Sequence, residues 1–164
     1  MCDRIVGVAW CRLQSPECWW CLAADDSWMN FPLRISGKGR GLHDITQDVE
    51  GAVRASGVES GLATMFIKHT SASLVIQENT DPAVMQDLQD WIDRAVPEFG
   101  PKANYLHNSE GPDDMPAHIR AAITATSLSV PILDGRLELG TWQGIFLWEH
   151  RRQPRTRTVV VHIA

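Results

Sequence analysis

Two neighbouring runs decide the fold: Gly61-Leu-Ala-Thr-Met-Phe-Ile-Lys68 and Ser73-Leu-Val-Ile-Gln-Glu78, followed at once by Asn79-Thr80-Asp81-Pro82. Both runs are rich in β-branched and apolar residues and read as strands, with His69-Thr70-Ser71 between or within them. Asp81-Pro82 then opens a helix, a capping side chain followed by proline at the first helical position. Val84, Leu88, Trp91, Ile92 and Ala95 recur at helical spacing and predict its buried face, and Pro97 ends it.

Outward from this centre the pattern stays mixed. Upstream, Phe31–Ser36 reads as a strand, and Gly37, Gly39 and Gly41 punctuate a loop. Ile45, Val49, Ala52 and Val53 then mark a helix with Asp44 or Thr46 as cap and Gly57 as stop. Downstream, a polar loop from Gly100 to Asp114 leads to a third helix near Pro116, capped by Asp113 or Asp114 and running through Ile119 and Ile123. Ser127–Leu133 is a strand whose Pro131 places it at an edge or a bulge. Asp134-Gly135 is a tight hairpin signal. Arg136–Leu139, Gly144–Trp148 and Thr156–Ile163 complete about seven strands and three helices. The elements do not alternate strictly. The expected fold is therefore α+β: a single domain with a largely antiparallel, sandwich-like β-sheet and helices to one side.

The first 28 residues differ in kind. All four cysteines (Cys2, Cys11, Cys18, Cys21) and four of the seven tryptophans fall there. Three readings compete: a secretory signal, a small zinc site built on the Cys18/Cys21 pair, and an upstream extension of a domain that begins at Met29. The apolar run Ile5–Trp10 is short for a signal, and Cys2 and Cys11 do not form the second close pair that a zinc site needs. The division expected is 1–28, extension, and 29–164, domain. The net charge of −5 supplies no basic surplus for nucleic acid, and no stretch has the roughly 18 apolar residues of a membrane helix. A cytoplasmic protein without nucleic-acid or membrane partners is expected.

Six histidines are spread over the domain: His43, His69, His107, His118, His150 and His162. His107 and His118 flank a loop that can fold back on itself, and imidazole suits zinc and related divalent ions. A packing role for His118 and a solvated His107 are the alternative. His69 lies beside hydroxyl residues but lacks a nucleophile-elbow context. A third metal ligand, a base near bound phosphate, or a half-buried strand-end residue are its open readings. Glu78 precedes a helix N-terminus and could act as general base or stay solvated. Gly140-Thr141-Trp142-Gln143-Gly144 reads as a bulge, in which Thr141 and Gln143 face a ligand or Trp142 fills the core. Arg136, Arg151, Arg152, Arg155 and Arg157 could bind phosphate or carboxylate, or belong to a solvated hairpin.

Several of these segments together resemble one family. They are His69-Thr-Ser-Ala-Ser-Leu74, Glu78-Asn79-Thr80-Asp81-Pro82, Tyr105-Leu-His107-Asn-Ser-Glu110-Gly-Pro-Asp-Asp-Met-Pro-Ala-His118-Ile, Gly135-Arg136-Leu137-Glu-Leu-Gly140-Thr-Trp-Gln-Gly144, and Gly39-Arg40-Gly41-Leu42-His43-Asp44-Ile45-Thr46. The chain from about Met29 to Ala164 resembles the YjbQ family, an uncharacterised group also labelled secondary thiamine-phosphate synthases. Gln77 departs from the asparagine expected at its position. The resemblance implies a homotrimer and a divalent metal, zinc or magnesium, held by His69, His107 and His118. It implies Glu78 and His69 as catalytic groups, and Arg136, Thr141 and Gln143 against a small phosphorylated substrate. The implied reaction joins hydroxymethylpyrimidine diphosphate to thiazole phosphate and releases pyrophosphate. A metal-assisted hydrolase and a non-enzymatic trimeric module for a small anion are the alternatives.

Overall fold

The computed structural model describes residues 28–164. The boundary at residue 28, the expected extension and the cysteine-based zinc alternative lie essentially outside the described residues. The elements run β1 (Met29–Ser36), β2 (Gly41–Asp44), α1 (Thr46–Ser56), β3 (Ser60–Ile67), β4 (Ala72–Glu78), α2 (Pro82–Ala95), α3 (Asp114–Ala122), β5 (Ser127–Leu133), β6 (Arg136–Leu137), β7 (Gln143–Glu149) and β8 (Thr156–Ile163). They form two sheets, β1-β8-β3-β5-β6 and β2-β7-β4, and every strand pairing is antiparallel. The fold is α+β, as the sequence leads one to expect.

Period-two alternation explains the layering. Ala63, Met65 and Ile67 of β3 and Val159, Val161 and Ile163 of β8 point to one side and are buried. Leu74 of β4 and Ile145 and Leu147 of β7 come from the second sheet to the same core, and Val49, Ala52 and Val53 of α1 join them. Each such side chain contributes on the order of 1.5–3 kcal/mol over its exposed state. Asp134 and Gly135 both take positive φ, 49° and 68°, the turn that matches the right-handed twist of a hairpin. The last residue is paired too: Leu62 N–H donates to the Ala164 carbonyl at 2.7 Å.

Although consecutive, β3 and β4 lie in different sheets. The segment His69-Thr70-Ser71 is therefore the corner where the chain crosses from one sheet to the other, and this crossing positions the site.

Several expectations are corrected. Gly41–Asp44 is a strand, paired with β7 from Gly41↔Glu149 to Asp44↔Phe146. Glycine punctuation there concealed backbone pairing that only a distant partner supplies. On α2 only Ile92 is buried. Trp91 is 54 % exposed, because this helix rests on the smaller sheet along one narrow line. The strand read over Arg136–Leu139 is regular only at Arg136–Leu137, although Glu138 N–H still donates to the Pro131 carbonyl at 2.9 Å. Asp81 does cap α2, accepting from Ala83 N–H at 2.9 Å. Asp44 accepts from Thr46 N–H at 2.8 Å, while the Thr46 hydroxyl takes the amide of Ile145 instead. Asp113 occupies the cap position of α3 without a side-chain cap hydrogen bond, since its carboxylate is engaged elsewhere.

Candidate functional site

That engagement is with Arg151, whose side chain is 5 % exposed. Its Nε donates to Asp113 Oδ2 at 3.2 Å and its Nη1 to Asp114 Oδ1 at 2.7 Å. Its Nη2 donates to the Glu110 carbonyl at 2.8 Å. The Arg152 amide adds a bond to Asp113 Oδ2 at 2.9 Å. Burial pushes the Asp113 carboxyl up, but the Arg152 amide and the Arg151 guanidinium outweigh it and hold the group below the usual carboxylate range. One guanidinium thus pins the loop that enters α3 and immobilises the carboxylate of Asp114.

Asp114 and His118 stand four residues apart on α3, one turn of helix, so both face the same way. His118 Nε2 lies 3.5 Å from Asp114 Oδ1. His107 comes from the preceding loop and sets its Nε2 3.2 Å from Asp114 Oδ2. The two rings are 5.3 Å apart, centre to centre. One ligand atom from each of the three residues lies within 4.8 Å of the others.

The His118 ring is oriented by the β3–β4 corner. Its Nδ1 sits 2.9 Å from the Thr70 carbonyl. A carbonyl can only accept, so Nδ1 carries a proton, and in the neutral ring Nε2 is the nitrogen whose lone pair is directed toward Asp114. A backbone partner of this kind fixes tautomer and ring plane in histidines that bind metals.

His69 occupies the same corner but is not in the cluster. Its Nε2 accepts the backbone amide of Thr158 at 2.8 Å, beside the bond from Lys68 N–H to the Thr158 carbonyl at 3.1 Å. The imidazole thus terminates the β3–β8 ladder in place of a strand carbonyl. Burial, followed by the Arg157 guanidinium, lowers its pKa and keeps it neutral near pH 7. Beneath it, buried Arg157 grips buried Glu149 through Nε and Nη2, both at 2.6 Å, and donates to the Ser71 hydroxyl at 3.0 Å.

These residues line one cleft of about 810 Å³, with Phe66, Lys68 and Arg155 among its other walls. The structure therefore brings His69, His107 and His118 to one cleft, but the cluster itself is His107, His118 and Asp114. It does not bring the other expected residues there. Glu78 stands at the far end of β4, opposite Gln143, six residues and roughly 20 Å along the strand from the corner. The Gln143 side chain accepts from Gly140 N–H at 2.8 Å. Thr141 is exposed in the same turn, and Trp142, 61 % exposed, does not fill the core. Arg136 lines a separate hollow of about 540 Å³ with Glu50, Arg54 and Glu59.

Sequence reasoning does not single out Asp114 as a site residue, and it leaves the arginine run open between carboxylate or phosphate binding and a solvated hairpin; Arg151 and Arg157 bind carboxylates. The Asp114-x-x-x-His118 spacing was the available signal for the first. Nothing local signals the second, because Arg151 and Arg157 find their carboxylates through tertiary contacts. His150 is fully buried, 2.9 Å from the Ser73 hydroxyl. Burial, then the charges of Arg120, Arg157 and Arg40, lowers its pKa to about 3.

The chain can now be placed among known proteins. Residues 32–164 match the model of the UPF0047 protein YjbQ-like family. UPF0047 protein sll1880 of Synechocystis is 53 % identical over 132 residues, covering 80 % of this chain and 88 % of that one. UPF0047 protein YjbQ of Escherichia coli O157:H7 is 41 % identical, covering 81 % and 95 %. A solved structure of an uncharacterised YjbQ/UPF0047 protein from Clostridium acetobutylicum superposes with TM-score 0.71 at 39 % identity, covering 83 % and 99 %. A YbjQ-like protein of unknown function from Sulfolobus solfataricus superposes with TM-score 0.74 at 29 % identity, covering 83 % and 96 %. On this evidence the chain belongs to the YjbQ-like UPF0047 family.

Proposed function

We propose that the cleft is a divalent-metal centre acting on a small phosphorylated substrate, with His107, Asp114 and His118 as the protein ligands. One observation carries this reading: the Thr70 carbonyl accepts from the Nδ1–H of His118, so that the neutral ring directs its Nε2 toward an immobilised carboxylate. Two imidazoles and one carboxylate suit zinc or a similar ion, whereas magnesium prefers an oxygen cage. Three protein ligands leave a position open to substrate or water. Such an ion, when bound, polarises a phosphoryl oxygen or lowers the pKa of a bound water.

The chain's own groups have separable tasks. Arg151 holds Asp114 in place. Lys68 brings positive charge to the cleft for a phosphate, and Arg155, paired with Glu110, stands at the same cleft. Phe66, half exposed at the same cleft, offers an apolar face to the organic part of the substrate. We further propose that the chain works as a homotrimer, in which a neighbour brings its Glu78, Thr141 and Gln143 toward the cleft. The exposed Trp91, Phe99 and Leu106 support burial against another copy.

The specific reaction proposed is the joining of hydroxymethylpyrimidine diphosphate to thiazole phosphate. A second reading, hydrolysis, is favoured by the donor set itself, since two histidines and a carboxylate are characteristic of water-activating zinc sites. One experiment separates them. Zinc-loaded protein is given the diphosphate with and without thiazole phosphate, and thiamine phosphate, pyrophosphate and inorganic phosphate are measured. Thiamine phosphate with stoichiometric pyrophosphate supports the synthase. Phosphate or pyrophosphate released from the diphosphate alone supports the hydrolase. Zinc bound with no turnover of either kind moves the site to a binding module.

A further inference from the structure

His69 and His118 both line the cleft and, as neutral rings, carry the proton on Nδ1, but the fold engages opposite nitrogens of the two rings. For His118 the bare Nε2 faces the cluster. For His69 the backbone amide of Thr158 occupies Nε2 at 2.8 Å. A backbone amide is always a donor, so Nε2 must accept and the proton of the neutral ring must sit on Nδ1. Nδ1 has no hydrogen-bond acceptor among the described residues, and the residue lines the cleft.

Three roles are thereby distinguished. A metal ligand needs a bare nitrogen, and His69 has none to offer. A general base needs the same, so the residue cannot take a proton without releasing Thr158 and the end of the β3–β8 ladder. A hydrogen-bond donor needs an N–H held in a fixed direction, and this His69 provides. We propose that His69 is a dedicated Nδ1–H donor to a phosphoryl oxygen of the substrate, not a ligand or a base. The proposal rests on the phosphorylated-substrate reading above and sharpens it. Lys68 lines the cleft next to the donor in sequence and is in no ion pair among the described residues, whereas Arg155 and Arg157 are paired with Glu110 and Glu149; the Lys68 ammonium suits an oxyanion partner. Burial beside Arg157 disfavours a charged imidazolium, so the donor stays neutral and does not compete with the ion for the site.

The test uses the full chain and inorganic phosphate. Ring nitrogen spectra of 15N-labelled protein should show His69 with a protonated Nδ1 and a bare Nε2, unchanged on adding zinc, while His107 and His118 shift. Loss of the Nδ1 proton on adding zinc would overturn the proposal. Calorimetric titration then compares two variants. His69→Gln keeps an acceptor for the Thr158 amide but no donor in the Nδ1 position. It should bind zinc as the parent does and phosphate roughly 10- to 100-fold more weakly, the range for a hydrogen bond to a charged group. His69→Asn restores an N–H near the Nδ1 position and should recover part of that loss. Undiminished phosphate binding by His69→Gln, or loss of its zinc, overturns the assignment. If neither variant folds, phosphate added to the parent must shift the Nδ1 signal of His69, and no shift overturns it. If the parent binds no zinc, the metal reading fails by itself, and the same titrations on metal-free protein still decide the donor.

Discussion

The Nδ1–H of His118 donates to the Thr70 carbonyl at 2.9 Å, so a corner between two sheets dictates which nitrogen a helix residue offers to the cleft. The proposed metal centre then depends on where β3 hands over to β4 as much as on α3. His118→Ala, His107→Ala and Asp114→Asn should each reduce bound zinc from about one ion per chain to a small fraction. Elemental analysis of purified protein checks this, and full occupancy in His118→Ala would remove the centre.

Arg151 holds Asp114 and Asp113 at once. Arg151→Lys keeps the charge but loses the planar fork. Zinc affinity should fall roughly 10- to 100-fold, as for other partners that orient ligands from behind. A competition assay against a chelator measures it, and an unchanged affinity would show that Asp114 is oriented by its helix alone.

Glu149 and Arg157 are 0 % and 4 % exposed and joined by two 2.6 Å bonds. Glu149→Ala leaves a buried guanidinium with only Ser71 as partner. The expected loss is about 3–5 kcal/mol of stability, read from urea unfolding. A loss below about 1 kcal/mol would mean that water reaches Arg157 on truncation.

His150 gives the protein a pH dependence of its own. Its pKa of about 3 in the folded chain lies far below the ordinary value of 6.5. Between these values the unfolded chain binds the proton and the folded chain does not. Stability is therefore complete above about pH 6.5 and declines as pH falls toward 3, by at most about 1.4 kcal/mol per unit from this residue. Unfolding measured from pH 7 to 4 should show a shallower slope in His150→Gln. Equal slopes would assign the acid sensitivity to other groups.

Two glycines should respond in opposite directions. A Cβ on Gly61 would collide with the Ala164 carbonyl and crowd Val58, so Gly61→Ala should cost about 1–3 kcal/mol. Gly51 lies within α1 with only the end of the Arg54 side chain near, at 3.9 Å, so Gly51→Ala should stabilise by up to about 1 kcal/mol. Thermal midpoints of both variants settle the pair.

Much of this architecture was legible in the chain. Alternation in β3 and β8, Asp81-Pro82 before α2 and Asp134-Gly135 at the hairpin are local patterns, set by neighbours within a few residues. The pairing of His107 with His118 was legible too, because a loop and a following helix turn leave few other arrangements. Tertiary structure alone decided the rest. β2 exists because β7 lies beside it, and α2 keeps Trp91 exposed because only one side of it meets a sheet. Arg151 and Arg157 are buried because Asp113, Asp114 and Glu149 are brought to them from elsewhere in the fold. The tautomers of His69 and His118 were settled by the Thr158 amide and the Thr70 carbonyl, two backbone groups that no residue type announces. Side-chain identity names the chemistry available, but a proton's place on a ring depends on the donor or acceptor that folding sets against it.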